Sequence, residues 1–553
     1  MYNEQQKDFV KKIINSLTES KLSLFTGAGT SMSAGLPSWV EFFDELCKQQ
    51  DISIKNSQYD LYTILSFLKN QKQFNDDKIK KYIKRQLADC VLKMSKNPFK
   101  DILQQAMYDL NADSFWTTNW DTVYADFVQS VEKMPANIIY RDAEIVNADV
   151  IKQKTIYHLN GYIGNLESLV VDKQDYNKYF QQNEGLITFL KKELITHTFL
   201  FIGYSFADNL MLDVLSQVRN FKKDTHYAIL VDNGDPNFIH FQQNLEENYG
   251  IISFVINPQD NQEINSTTNN NDLQDNENTK AIPKQTTNQY ITSQVVQILT
   301  LIKESIARKQ IYISGSLYDY DEDAKQEMKC LSQAIVEQLF KSSYDYKIAN
   351  SLGHGLTQRL IGQIAHYCSQ NNERLDRRLV IRHGDFDSKN HQEKYQLRKQ
   401  LIQTSGIIIF MYGNDSKIPA LTSNTNHKTN DNEPFQNIST GVWQEYLVAR
   451  ELSNLDAELD KQKTLQGTNS NQEITQNATT NPYNFKRDGI KIIPLGSTGY
   501  TAQKIWQDMN TQLINYPYLE KGVMDKLNTE KDPQKLAELV VKIIKDINEK
   551  YPL

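Results

Sequence analysis

The sequence predicts an α/β protein built of two doubly wound, Rossmann-like domains. Three observations carry this. Short apolar runs of strand length alternate with helical periods along both halves of the chain. Several of these runs end in glycine-rich turns. A stretch rich in Asn, Thr, Gln and Asp, residues 257–289, lies between the halves and lacks the apolar side chains that offset chain-ordering entropy. The domains are expected at 1–256 and 309–553, joined by a polar linker and helix at 257–308. Two more polar stretches, 414–438 and 461–484, interrupt the second half without destroying its strand pattern and read as loop insertions.

In the first half, 21–26 (KLSLFT) is the first strand, apolar and aromatic and running into glycine. The runs at 113–118, 155–159, 199–202, 225–231 and 251–256 follow, and helical periods fill the gaps, as at 76–94 and 186–194. In the second half the strands are 310–313 (QIYI), 378–382 (RLVIR), 406–411 (GIIIFM) and 490–494 (IKIIP). Helices are expected at 322–340, 357–369, 443–452 and 533–550. Strands separated by helices imply parallel sheets covered on both faces.

Composition narrows the function classes. A chain of 553 residues has room for roughly three or four domains as a prior. Mean hydropathy is −0.58, and no run is long and apolar enough to span a bilayer. The opening residues Met1–Asp8 lack an apolar secretion core, so a cytoplasmic protein is expected. The net charge of −7 makes a phosphate-backbone binder a poor candidate. The four cysteines, Cys47, Cys90, Cys330 and Cys368, form no C-x-x-C pair, which excludes a Cys-rich zinc module and points to reduced thiols.

The string Thr26-Gly27-Ala28-Gly29-Thr30-Ser31 follows the first strand, and Gly35-Leu36-Pro37-Ser38-Trp39 comes soon after. Glycines at a strand end let main chain approach a diphosphate. No Gly-Lys-Ser/Thr follows, so this is not a P-loop. The whole string resembles the nucleotide loop of sirtuins and of bacterial sirtuin-like NAD-consuming proteins. Three further stretches match that family in order: Thr117-Thr118-Asn119-Trp120-Asp121, Tyr157-His158-Leu159-Asn160-Gly161, and Phe201-Ile202-Gly203-Tyr204-Ser205. The resemblance spans about 10–256. It implies that NAD+ is the substrate, with no metal. It assigns NAD contacts to Thr26, Gly27, Ala28, Gly29, Ser31, Pro37, Gly203 and Ser205. It also implies that Asn119 meets the nicotinamide ribose and a water, and that Asp121 helps to hold the loop. A carboxamide suits the first role because it donates and accepts at neutral charge.

One position departs from the family. The residue before Gly161 is expected to be the catalytic His, and here it is Asn160. Asn is no general base near neutral pH, so weakened turnover is expected. His158, two positions earlier on a strand, points to the same face as Asn160 and is a conceivable substitute. The missing zinc cysteines favour hydrolysis of NAD+ over deacylation of a protein lysine.

In the second half, Ser314-Gly315-Ser316, Gly353-His354-Gly355 and Thr498-Gly499 lie at successive turns. Together they resemble the SLOG domain, a nucleotide-binding fold, over about 309–520. A sirtuin-like domain followed by SLOG resembles the NAD-consuming effectors of Thoeris antiphage defence. That resemblance implies activation by a cyclic ADP-ribose isomer made by a TIR-domain partner protein, and a homotetramer or larger assembly. Arg382 after a strand and Arg398 on the next helix are candidates to meet a diphosphate, and Glu445 to accept from ribose hydroxyls. The alternative reading is a non-catalytic NAD- or nucleotide-binding scaffold, which Asn160 favours.

Overall fold

The structure is a computed structural model, which describes residues 3–17, 20–48, 61–70, 76–94, 100–146, 153–221, 225–260, 286–317, 322–342, 345–351, 356–382, 390–414, 439–453 and 489–550. The chain divides into two compact units, Tyr2–Thr300 and Leu301–Leu553, and each contains one all-parallel sheet. The division falls within the helix Thr287–Arg308. Most of the three polar stretches lies outside the described residues.

The first sheet has seven strands: β1 (Lys21–Thr26), β2 (Ser114–Thr117), β3 (Asn137–Ile139), β4 (Thr155–His158), β5 (His197–Ile202), β6 (His226–Val231) and β7 (Ile251–Ile256). Their spatial order is β3-β4-β2-β1-β5-β6-β7. The chain winds from β1 toward β2 on one side and from β5 toward β6 on the other. The strand order therefore reverses between β1 and β5, the place where open α/β sheets leave a crevice for a ligand.

β1 and β5 are buried almost throughout, which is why they read as continuous apolar runs. The register sets Phe25 beside Trp116 of β2 and Phe201 of β5. The rings of Phe25 and Tyr204 meet edge to face at 4.9 Å, and Trp116 stacks on Tyr157 at 4.2 Å. A second apolar cluster joins the helices Trp39–Lys48, Leu61–Lys69 and Asp76–Met94 to Trp120, through Phe43, Leu68 and Ile83. It holds these helices against the loop that follows β2.

A buried polar network joins β1, β2 and β5 at their N-terminal side. Ser114 Oγ donates to Glu193 at 2.5 Å, Trp116 Nε1 donates to the same carboxylate at 2.8 Å, and Ser23 Oγ meets His197 Nδ1 at 2.8 Å. Ser23, His197 and Asp113 repeat the residue types of a hydrolase triad. Ser23 has no exposed surface, however, so the network closes the core and does no chemistry on a substrate.

The second sheet has five strands: β8 (Gln310–Ser314), β9 (Lys347–Ser351), β10 (Leu379–Arg382), β11 (Ile407–Phe410) and β12 (Lys491–Pro494). The order is β10-β9-β8-β11-β12, so winding reverses between β8 and β11. Tyr312, Ile348, Ile408, Tyr446 and Ile492 lie at the centre of its core.

Two strands, β3 and β9, are absent from the expectation drawn from sequence. β3 is three residues long, and β9 (KIANS) carries a single large apolar side chain, Ile348. The expected strand at 378–382 begins one residue later because Leu375–Arg378 forms a helical turn. Among the described residues, no helix is long and apolar enough to cross a membrane.

Candidate functional site

The reversal between β1 and β5 is closed by main chain. Gly27 N–H donates to the Ile202 carbonyl at 3.2 Å, and Gly29 N–H donates to the Gly203 carbonyl at 3.0 Å. A Cβ on Gly27 would sit 2.6 Å from Gly203 O, and one on Gly29 2.7 Å from Gly203 Cα. Gly203 has φ +62°, and a Cβ there would sit 2.6 Å from Thr30 N. These contacts require glycine at all three positions. Replacing Gly203 with alanine is expected to lower the unfolding free energy by about 1–3 kcal/mol. Urea denaturation followed by tryptophan fluorescence checks this, and an unchanged midpoint would count against it.

The loop after β2 is bonded onto this turn. Asn119 Nδ2 donates to the Gly27 carbonyl at 3.1 Å and to Ser31 Oγ at 2.9 Å. Ser31 Oγ in turn donates to Asp121 Oδ2 at 2.8 Å, and Val123 N–H donates to Asp121 Oδ1 at 3.0 Å. Burial pushes the Asp121 carboxyl up from its ordinary value, opposed by those two hydrogen bonds. Ala28, Ser31, Pro37, Asn119 and Asp121 line a cleft, and Trp39, Phe42 and Trp120 supply its aromatic walls.

Not every residue expected in the site reaches this cleft. Thr26 is buried, and its hydroxyl donates to the Trp116 carbonyl at 3.3 Å. Ser205 is exposed and accepts from Ala207 N–H at 3.4 Å. Asn160 is buried and does not line the cleft. Its Nδ2 donates to Tyr62 Oη at 3.0 Å, and its carbonyl accepts from Trp120 Nε1 at 2.9 Å. Gly161 follows with φ +87°, and a Cβ there would meet Ser168 O at 2.1 Å. The peptide at Asn160 is thus held by the aromatic residue that walls the cleft.

His158 lies apart from the cleft. Its Nδ1 is 2.7 Å from the Asn119 carbonyl, and burial pushes its pKa down to about 4, against the raising effect of that bond. With Asn119 and Asp121 it lines a second, smaller chamber of about 20 Å³. Sequence reasoning missed the hydrogen bond between Tyr62 and Asn160 and the one between His158 and Asn119. Both join residues remote in sequence, so no local pattern marks them.

In the second unit the crevice between β8 and β11 is closed in the same way. Met411 N–H donates to the Ser314 carbonyl at 3.0 Å, and Gly413 N–H donates to the Ser316 carbonyl at 2.9 Å. A Cβ on Gly315 would sit 2.1 Å from Met411 O. Thr498 Oγ1 accepts from Tyr412 N–H at 2.7 Å, and Gly499 follows with φ +79°. Glu445, buried, accepts from Ser314 Oγ at 2.6 Å and Tyr312 Oη at 3.2 Å. Burial raises its carboxyl, opposed by Ser314, by nearby Arg398 and by Tyr312. Ser314, Ser316, Arg398, Glu445 and Thr498 are thus gathered around one strand-end region. Gly353, Gly355 and the side chain of Arg382 lie outside the described residues. Among the described residues, no group of three or more His, Cys, Asp or Glu is placed to hold a metal ion.

Comparison with known proteins follows these two units. Residues 113–253 match the SIR2-like domain family. Residues 294–455 and 467–547 match the Sir2- and TIR-associating SLOG family. The NAD(+) hydrolase ThsA of Bacillus cereus (strain MSX-D12) is 23% identical over 548 residues, covering 97% of this chain and 96% of that protein. The NAD(+) hydrolase ThsA of Enterococcus faecium is 27% identical over 415 residues, 74% of this chain and 81% of that one. Defense-associated sirtuin 2 of Bacillus subtilis is 27% identical over 247 residues, 43% of this chain and 23% of that protein.

Proposed function

We infer, from a chain that joins a SIR2-like match to a Sir2- and TIR-associating SLOG match and that aligns over 97% of its length with the NAD(+) hydrolase ThsA of Bacillus cereus (strain MSX-D12), that this protein is an NAD+ hydrolase of antiphage defence. It cleaves NAD+ to nicotinamide and ADP-ribose when a cyclic ADP-ribose isomer occupies the SLOG unit. The observation that carries the reading is the bonded set of Gly27, Ser31, Asn119 and Asp121 beside the aromatic cleft.

The chemistry requires the bond between ribose C1′ and the nicotinamide nitrogen to break, with its electron pair going to the ring. Positive charge then spreads over the ribose, and a water adds and loses a proton. The protein holds the sugar and supplies fixed dipoles to that charge. Gly27, Gly29 and Gly203 pack main chain against main chain at the end of β1, and the dinucleotide backbone lies against that turn. Asn119 presents a carboxamide already held through its nitrogen, so its oxygen has a set direction. Asp121 fixes Ser31 and so the turn. Asn160 cannot take a proton, so turnover in this sequence is low. A non-catalytic, NAD-binding scaffold is the second reading, and the turning of Asn160 toward Tyr62 favours it.

The signal is read by Ser314, Gly315, Ser316, Arg398, Glu445, Thr498 and Gly499 about the β8–β11 crevice, and Gly353, Gly355 and Arg382 are assigned to the same task from sequence alone. A TIR-domain partner supplies the isomer, and the active form is a homotetramer or larger. The test is a fluorescence assay of NAD+ loss with and without a cyclic ADP-ribose isomer. Isomer-stimulated loss is expected. Negligible loss in both conditions, with NAD+ still bound, would establish the scaffold reading. Arg382→Ala and Glu445→Gln are expected to weaken isomer binding by about tenfold or more while leaving NAD+ affinity unchanged. Calorimetry with each ligand measures this, and unchanged isomer binding in both variants would remove the sensor assignment.

A further inference from the structure

We propose that His158 is a positioning residue for NAD+ cleavage, clamping the Asn119 peptide from behind the cleft through a hydrogen bond to its carbonyl. The proposal rests on the hydrolase reading above. It starts from the geometry of one ring. His158 is 2% exposed and sits on β4, with Nδ1 2.7 Å from the Asn119 carbonyl oxygen. A carbonyl only accepts, so Nδ1 carries the proton. The ring is neutral near pH 7, because burial disfavours its charged form. Its Nε2 is therefore a bare acceptor, and it is enclosed without a protein partner.

The chamber around it has the same character. Gln104 lines it, is 1% exposed, and spends its amide nitrogen on the Thr30 carbonyl at 3.3 Å, which leaves Oε1 enclosed and unpartnered. Two buried acceptors in one polar chamber suit a small hydrogen-bond donor such as an ordered water.

The clamp completes the restraint of Asn119. Its N–H donates to Thr117 Oγ1 at 3.0 Å, and its side chain is bonded to Gly27 and Ser31. Its carbonyl is the remaining handle. Main chain pins the loop at Thr118, whose N–H donates to the Thr26 carbonyl, and at the Trp120 carbonyl, which accepts from Ile163 N–H, so His158 is what restrains the Asn119–Trp120 peptide between these two points against rotation. That rotation would carry both the Asn119 carboxamide and Asp121 off their bonded positions. His158 itself lies outside the cleft lining, so it acts through Asn119 and not on NAD+.

The test compares two polar substitutions of similar cost to the fold. His158→Asn keeps a donor where Nδ1 stood, and His158→Gln places its polar end where Nε2 stood. With isomer-activated protein, His158→Gln is expected to lower kcat at least about tenfold while the NAD+ dissociation constant stays within about threefold. His158→Asn is expected to keep kcat within about threefold of the parent. Equal kcat in the two variants would overturn the clamp, as would a parallel change in kcat and NAD+ affinity in both. A second readout is independent of turnover: hydrogen exchange of the peptide covering 117–122. It is expected to accelerate in His158→Gln and to stay at the parental rate in His158→Asn. Absent turnover in the parent would sink the hydrolase reading alone. Identical exchange in all three proteins would sink the clamp alone.

Discussion

Asn119→Ala is expected to reduce isomer-activated NAD+ cleavage by about 10²- to 10³-fold, the scale seen when one preorganised polar group is removed from a charge-stabilising site. The expectation follows from what the side chain holds. Asn119 Nδ2 is the donor that ties Gly27 and Ser31 to the loop after β2. Removing it takes away the carboxamide proposed to face the ribose and loosens Ser31, the donor to Asp121. The fold should survive, because the lost group is polar and lies at a strand end. The Gly27 carbonyl keeps Thr30 N–H and Thr30 Oγ1 as donors, so losing the Asn119 bond costs about 0.5–1.5 kcal/mol. The checks are an initial-rate assay of NAD+ loss and a thermal melt. Parental turnover in a folded Asn119→Ala protein would dismiss the site.

Asn160→His is expected to raise turnover at least about tenfold, the low side of what a positioned acid–base group contributes. NAD+ affinity should stay within about threefold. Asn160 lies beside Trp120, which walls the cleft, and its carbonyl is fixed by Trp120 Nε1 and Val170 N–H. An imidazole on the same main chain retains a nitrogen for Tyr62 and adds a group able to take a proton from a ribose hydroxyl. The amide has no such capacity. Single-turnover kinetics separates this gain from any change in binding. A histidine form no faster than the parent would show that the missing base is not what limits the reaction.

The two sheets were legible in the sequence because their central strands are covered on both faces. β5 and β11 have no exposed residue, so they stand out as unbroken apolar runs. β9 does not stand out, because Asn350 is buried polar and is accommodated by a hydrogen bond from Thr357. The glycines of the site were legible for a related reason: their contacts leave no room for a Cβ, and that constraint acts on one residue at a time. The supporting shell was not legible. Tyr62 and Asn160 are 98 positions apart, and His158 and Asn119 are 39 apart. Neither pairing has a local signature. Ser205 lies in a matching motif, yet its side chain is exposed and accepts from the backbone N–H two residues on. Motif position and side-chain direction are separate facts.

Both crevices are walled by peptide groups that touch one another, Gly27 and Gly29 against Gly203 in one sheet and Gly315 against Met411 in the other. Such walls have no rotamers to freeze. A diphosphate bound there, as proposed, would lose its own freedom but take almost none from the protein, so the conformational entropy of binding would fall on the flanking side chains. Discrimination between closely related nucleotides is then the work of those side chains, while the main chain acts as a generic seat. Exchanging the flanking residues, with every glycine left in place, is the route by which one such scaffold acquires a preference for a different nucleotide.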